Sequence, residues 1–292
     1  MKLEKIITLA NAHVKIQFSA MERSLRATGC NLPIWVIPFN DDKFDLPDNS
    51  FWWEEDQLIE WAKENNIFEM CRKYQCFFTQ NYQYVDSDII FIRNPEEVLK
   101  NYEGFISSCT HWNNPDHTYN AQTKQYFKSK STIWQNSIFN AGQFACDKAL
   151  YTLERLKETS SGTFKKTLLD KINIYKDQVA INLLVSLSNV KVTNLTLPPT
   201  NMQSTWAGDY VESNFEELYW KDEDHKPYII HWAGVPKFLK LPVNKYFTKF
   251  LTPREYKEWL DYIAKEEQQN KNISLRNFKI KIHRFKKALE SV

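Results

Sequence analysis

Two aspartates stand one residue apart inside an apolar run, Tyr84-Val85-Asp86-Ser87-Asp88-Ile89-Ile90-Phe91-Ile92. Such a β-branched and aromatic run reads as a buried strand, in which an ionised carboxylate is costly unless its charge is compensated. Hard divalent cations such as Mn²⁺ and Mg²⁺ supply that compensation. They take oxygen ligands, are held by one or two carboxylates, and keep positions open for phosphate oxygens. The pair therefore points to a diphosphate held through a metal. The competing reading is two solvated aspartates at a strand end that turns into Arg93-Asn94-Pro95.

A second group of chemically useful residues follows the apolar run Tyr228-Ile229-Ile230, in His231-Trp232-Ala233-Gly234-Val235-Pro236-Lys237. His231 can add a neutral imidazole to a metal shell, Gly234 lets backbone N–H groups approach phosphate oxygen, and Lys237 supplies a point charge. By itself the segment reads as a strand-to-loop turn around a packed histidine. Together with the Asp pair it reads as the rest of a metal–diphosphate site. Two further elements lie between them. The stretch Trp134-Gln135-Asn136-Ser137-Ile138 alternates like a strand and leads into Phe139-Asn140-Ala141-Gly142, whose amide and small residues suit the close approach of a sugar ring. Lys176-Asp177-Gln178 opens a helix with Val179, Ile181, Leu183 and Leu184 as its apolar positions, and Asp177 near its cap.

In that order, these landmarks resemble the nucleotide-diphospho-sugar transferases of the GT-A fold. The resemblance is greatest to the retaining family 8, which includes glycogenin and bacterial lipopolysaccharide galactosyl- and glucosyltransferases. That family runs from an amino-terminal nucleotide strand through Asp-x-Asp, Asn-Ala-Gly and Asp-Gln to His-x-x-Gly-x-x-Lys. Here the same order is Ile6-Ile7-Thr8-Leu9-Ala10-Asn11, Asp86-Ser87-Asp88, Asn140-Ala141-Gly142, Asp177-Gln178 and His231 through Lys237. Two departures are visible: Phe238-Leu239 follows Lys237 where the family continues Pro-Trp, and Asn11 stands where an acidic residue often grips the base or ribose.

The resemblance implies a Rossmann-like GT-A catalytic domain and a hexosyltransferase acting on a nucleotide-sugar donor, UDP-sugar first, with a glycan or lipid-linked acceptor and net retention. It implies Mn²⁺ or Mg²⁺ on Asp86, Asp88 and His231. It also gives catalytic roles to Asp177, Gln178 and Lys237, and donor or acceptor contacts to Leu9, Ala10, Asn11, Ser87, Asn140, Ala141, Gly142, Trp232 and Gly234. Arg72 and Lys73 are candidates for the basic residue that family members carry upstream of the Asp pair, Arg72 being the one taken for the donor site and surface charge the ordinary reading for at least one of them. Two rivals use the same carboxylates: a nucleotidyltransferase or phosphodiesterase with a two-metal site, for which the nearest further acids are Glu96 and Glu97, and a non-catalytic nucleotide-sugar binder.

Composition sets the frame. A chain of 292 residues with 42% hydrophobic side chains can bury one large α/β core, read as a catalytic domain over 1–250 and a helical extension over 251–292. With 38 basic against 36 acidic side chains it is not a generally basic nucleic-acid binder. The five cysteines, at 30, 71, 76, 109 and 146, include no Cys-x-x-Cys, so neither zinc nor a disulfide framework is expected. The apolar stretch 6–10 is short for a signal peptide, and no run reaches the roughly 18 to 20 apolar residues of a membrane span. The expected location is the cytoplasm, with contact to the inner face of the membrane through the tail.

To position these residues, the chain needs a strand at 5–9, a helix at 14–28 ended by Gly29, a strand at 33–39, helix over most of 56–76, the strand bearing the Asp pair, and a short strand at 104–109. This alternation predicts an α/β fold with a mostly parallel central sheet flanked by helices, its ligands at the carboxyl ends of the strands. Residues 113–130, polar and containing Pro115, read as a loop or lid over the acceptor side. Of the ten tryptophans, Trp112, Trp134, Trp206 and Trp232 fall near the motifs, where an indole face beside a carboxamide suits a sugar ring; packing is the ordinary role of each, Trp232 excepted. From 271, Leu275, Phe278, Ile282, Phe285 and Leu289 recur at helical spacing among six lysine, arginine and histidine side chains from Lys279 to Lys287, a basic amphipathic helix suited to docking on the domain or to an anionic membrane.

Overall fold

The computed structural model of the chain describes residues 1–162, 164–169 and 176–289, and the side chains of Leu169, Lys176 and 272–289 fall outside that description with the remaining positions. Strand β1 (Lys5–Ala10) is buried throughout. Its Ile7 and Leu9 enter one core, while Ile6 and Ala10 enter another, as period-two alternation requires of a strand covered on both faces. Helix α1 (Lys15–Ala27) lays Phe18, Met21 and Leu25 on the second core at helical spacing, and Gly29 ends it in the left-handed region at φ +85. Strands β2 (Ile34–Pro38) and β3 (Ser50–Trp52) follow; α2 (Asp56–Glu64) and a 3₁₀ segment, Glu69–Phe78, then lead to β4 (Tyr82–Val85). After β4 come β5 (Ile89–Phe91), α3 (Pro95–Leu99), β6 (Phe105–Ser107), α4 (Ala121–Lys130), β7 (Gln143–Cys146), α5 (Leu153–Ser161), α6 (Lys165–Leu169), α7 (Lys176–Leu187), β8 (Val192–Asn194), α8 (Phe215–Tyr219), β9 (Ile229–His231), α9 (Lys245–Thr248) and α10 (Pro253–Leu289).

The main sheet runs β3-β2-β1-β4-β7-β6-β8, with β5 and β9 forming a separate antiparallel pair. Pairing is parallel from β3 to β4 and between β6 and β8, and antiparallel on both sides of β7. The expected α/β sheet flanked by helices is therefore present. Helix α7 buries Val179, Ile181, Leu183 and Leu184, each at 1% exposure or less. Each such side chain stabilises the fold by roughly 1.5–3 kcal/mol relative to an exposed one.

Some local expectations are corrected. The run 84–92 is not one strand: β4 ends at Val85, Asp86-Ser87-Asp88 turns, and β5 starts at Ile89 in the other sheet. Residues 134–137 form a 3₁₀ turn, and the strand comes later, as β7. The polar stretch 113–130 is helical over its second half, where the Asn120 side chain caps α4 by accepting from Thr123 N–H at 2.9 Å.

The segment beyond 250 packs on α1 and α9. Trp259 of α10 is 6% exposed and lies with its ring centroid 4.7 Å from that of Phe247. Arg23 of α1 donates to both Glu255 carboxylate oxygens, at 2.6 and 2.9 Å, and to the Phe250 carbonyl at 2.8 Å. The backbone of α10 is helical to Leu289, and the side chains of the amphipathic tail lie outside the described residues.

Candidate active site

The turn after β4 is held from three directions. Asp86 N–H donates to the Gly142 carbonyl at 2.8 Å, extending the β4–β7 ladder; Ser87 Oγ donates to the Leu9 carbonyl at 2.8 Å; Tyr84 OH donates to Asp86 Oδ1 at 2.7 Å. The β5–β9 register places Ile89 opposite His231, and Trp232 N–H donates to the Asp88 carbonyl at 3.2 Å. Two distant stretches of chain thereby meet at one point. Asp86, Asp88 and His231 each present a ligand atom, all lying within 4.8 Å of one another.

The cluster fits a hard divalent ion. His231 is 2% exposed, with Nε2 3.2 Å from Asp88 Oδ1 and 3.8 Å from Asp86 Oδ2, yet that buried nitrogen has no hydrogen-bond partner. An unpartnered buried nitrogen facing two carboxylates is a donor set that a divalent cation would satisfy. Gly142 closes the space behind it: a Cβ there would overlap the Asp86 carboxylate and lie 2.6 Å from His231 Cε1 and 2.9 Å from Asn140 Oδ1. The two oxygens and one imidazole nitrogen suit Mn²⁺ or Mg²⁺.

Two lysines border the carboxylates. Lys237 Nζ lies 3.0 Å from Asp88 Oδ2, and its backbone N–H donates to Glu266 of α10 at 2.9 Å. Burial by itself raises the Asp88 carboxyl, but the Lys237 ammonium and His231 outweigh it and hold the group well below the usual carboxylate range. Lys73, 1% exposed, lies 3.1 Å from Asp86 Oδ1 and 3.0 Å from Asp177 Oδ2, linking the carboxylate cluster to the start of α7. Burial opposes its charge, and the two carboxylates override burial to raise it above the ordinary lysine range. The surface-charge reading of this pair is corrected: Arg72 is buried too, its guanidinium donating to the Pro38 carbonyl at 2.7 Å, and it is Lys73 that reaches the site.

Two hollows flank the cluster. One, of about 380 Å³, is lined by Leu9, Ala10, Asn11, Ser87, Asp86, Asp88 and Lys237, with His13 and Tyr262 at its edge. The other, of about 640 Å³, is lined by Asn140, Asp177, Gln178, Gly234, His111, His117, Trp206 and Asp209. In the second, Gln178 Nε2 donates to the Phe139 carbonyl at 2.6 Å and its Oε1 accepts from Ala141 N–H at 2.7 Å. Asn140 Oδ1 accepts from Gly142 N–H at 2.7 Å. The Asn-Ala-Gly turn and the helix start are thus locked to each other, with Gly234 in the left-handed region at φ +65 on the opposite wall. His111 is pushed down to about 4 by burial first and by the neighbouring His117 and His231, so its ring is neutral at neutral pH.

Trp232 is placed differently from the expectation. It is 5% exposed, donates Nε1–H to Asn244 at 2.8 Å, and lines an adjoining apolar cavity of about 310 Å³ with Phe247 and Trp259, whose wall also includes Asp88 and Lys237. The sequence reading passed over His111, His117 and Asp209, which have no motif around them.

Folds of this kind are known. No protein-family model and no curated protein matches the sequence. Among solved structures, the bifunctional glycosyltransferase WbbM in its apo form superposes with a TM-score of 0.51 at 13% identity over 91% of this chain, which spans about half (52%) of the WbbM chain. The galactosyltransferase LgtC, in complex with donor and acceptor sugar analogs, gives 0.52 at 12% identity over 87% of this chain and 99% of LgtC. The chain has a GT-A glycosyltransferase fold. In this GT-A chain the Asp-x-Asp turn, the Asn-Ala-Gly turn, the start of α7 and the β9 exit converge on one site, while Arg72 donates to the Pro38 carbonyl and Trp232 lines an adjoining cavity with Asp88 and Lys237. Among the described residues no helix is long and apolar enough to cross a membrane.

Proposed function

We propose that the chain is a metal-dependent glycosyltransferase that moves a hexose from a nucleotide diphosphate sugar, UDP-sugar first, to a glycan or lipid-linked acceptor with retention of anomeric configuration. The observation that carries this reading is the convergence of Asp86, Asp88 and His231 between two hollows in a GT-A fold, with Lys237 on Asp88. Asp86, Asp88 and His231 would hold Mn²⁺ or Mg²⁺, which when bound supplies Lewis-acid stabilisation of a departing diphosphate. Lys237 adds a second positive charge beside Asp88, where the leaving group's charge would develop. Leu9, Ala10, Asn11 and Ser87 line the hollow that suits the nucleoside, and Asp177 with Asn140 faces the one that suits the sugars.

Gln178 is held by two backbone bonds beside the sugar hollow. Its amide oxygen is weakly basic and already accepts from Ala141, so it is a poor nucleophile. Departure and attack on the same face of the sugar, giving net retention, fit it better than a covalent glycosyl-enzyme. The LgtC complex with donor and acceptor sugar analogs supports the pairing of a sugar donor with a sugar acceptor. The proposed setting is the cytoplasmic face of a membrane, reached through the basic tail.

Incubation with UDP- and GDP-sugars and Mn²⁺, without acceptor, tests the reading. Slow release of free sugar is expected. Pyrophosphate or nucleoside monophosphate would instead indicate a nucleotidyltransferase or phosphodiesterase, and tight binding without turnover a nucleotide-sugar binder. Once an acceptor is found, the anomeric proton signal of the product is expected to match that of the donor; inversion would reject retention.

A further inference from the structure

Trp206 is 42% exposed, whereas Trp134, Trp220, Trp232 and Trp259 are all at 9% or below. Single exposed apolar residues are common, but this one is fixed in place. Its backbone bridges to His231, the metal-cluster histidine, in parallel pairing. Its indole N–H donates to the Ala233 carbonyl at 2.8 Å. A Cβ on Gly208 would lie 2.5 Å from Cη2 and Cζ2 of the ring and 2.7 Å from Cζ3, so the ring rests where only a glycine leaves room for it. One edge is tied by a hydrogen bond and one side is backed by glycine, and the remaining surface opens on the 640 Å³ hollow. A large ring held rigid before any ligand arrives loses little conformational freedom when it stacks.

The groups around the same hollow are polar: exposed Asp209, Asn113 and His117, with Asp177 and Gln178 further in. A flat apolar face beside a carboxylate, amide and imidazole matches a pyranose, which has a C–H face and a rim of hydroxyls. We propose that Trp206 is the platform on which the acceptor sugar stacks, so that the acceptor is a saccharide whose terminal pyranose has an uninterrupted C–H face, with hydroxyls turned toward Asp209 and His117. The proposal rests on the glycosyltransferase reading. It puts the accepting ring in the hollow of Asp177 and Gln178, on the other side of the metal cluster from Leu9, Ala10 and Asn11.

The test measures two rates with Mn²⁺ and UDP-glucose or UDP-galactose: free sugar released without acceptor, and transfer to methyl β-galactopyranoside, methyl β-glucopyranoside, lactose and cellobiose. Expected are pyranoside-dependent transfer by the wild-type chain and, in Trp206→Ala, a transfer-to-hydrolysis ratio lowered about tenfold or more through a raised KM for the pyranoside. Trp206→Tyr should keep most of that ratio. Gly208→Ala, which keeps the indole but displaces it, should lose much of it. Thermal unfolding of each variant separates a lost platform from a lost fold. An unchanged ratio in Trp206→Ala overturns the platform and leaves the transferase standing, as does sugar release with no transfer to any of the four pyranosides. Absence of sugar release from both donors in the wild-type chain defeats the transferase reading itself.

Discussion

Asp88 and His231 face each other with polar atoms that packing does not require. His231 Nε2 has no hydrogen-bond partner, and Asp88 keeps its charge against burial because the Lys237 ammonium faces it at 3.0 Å. Asp88→Asn or His231→Ala is accordingly expected to lower Mn²⁺-dependent turnover by about two orders of magnitude or more, with the thermal midpoint moving little in Asp88→Asn, which keeps the side chain's volume. Full metal-dependent turnover in both variants would reject the assignment. Lys73 is a different case. It is buried between Asp86 and Asp177, and Lys73→Met leaves two facing carboxylates without their cation. A destabilisation of about 3 kcal/mol is expected in urea unfolding, partly recovered on adding Mn²⁺, since a second cation next to Asp86 relieves the same repulsion. Wild-type stability in this variant would show that water, not Lys73, compensates the two acids.

Elements here are joined through few, well-defined contacts. The β5–β9 pair brings Asp88 to His231, and the Arg23–Glu255 clamp ties α1 to the first turn of α10. The hydrogen bonds from Arg23, outweighing burial, lower the Glu255 carboxyl from 4.5 to about 2. The unfolded chain therefore takes up this proton first on acidification. The clamp's contribution is complete above about pH 5 and drains away as the pH falls from 4.5 toward 2. Because the Arg23 side chain is 38% exposed, solvent screening limits that contribution to about 1 kcal/mol or less. Glu255→Gln should lower stability at pH 7 by this amount and match the wild type near pH 2, as read by chemical denaturation at the two pH values. A constant difference across that range would show that the clamp is not what the proton removes.

At the scale of the whole molecule, one hollow is lined by Asp86 and Asp88, the other by Asn140, Asp177 and Gln178, and α10 is helical from Pro253 to Leu289. Its last turns carry the basic and apolar residues of 271–289. Near an anionic surface each basic residue contributes about 1 kcal/mol before screening. The full chain is expected to sediment with anionic vesicles at low salt and to be released at high salt, and a version ending at Gln269 to stay in solution. Equal recovery of both forms would leave the tail as a packing or self-association element.

The sequence by itself determined what depends on neighbours in the chain. Short apolar runs such as the strand at 5–9, and the apolar helix at 179–184 opening behind Asp177, were legible because their composition and end signals are local. The order of the motifs was legible too, and with it the grouping of Asp86, Asp88 and His231, which the structure brings within 4.8 Å of one another. The tertiary structure decided what depends on register and packing. It broke the run 84–92 at Asp86, because Ser87 is tied to Leu9 and β5 pairs with β9 instead of extending the main sheet. Lys73 rather than Arg72 faces the site because the 3₁₀ segment buries both and spends one on Pro38. Among tryptophans that composition cannot tell apart, it covered Trp232 with Asn244 and Phe247 and left Trp206 open on Gly208. Burial of a side chain is set by what distant segments bring to it, and no local preference encodes that.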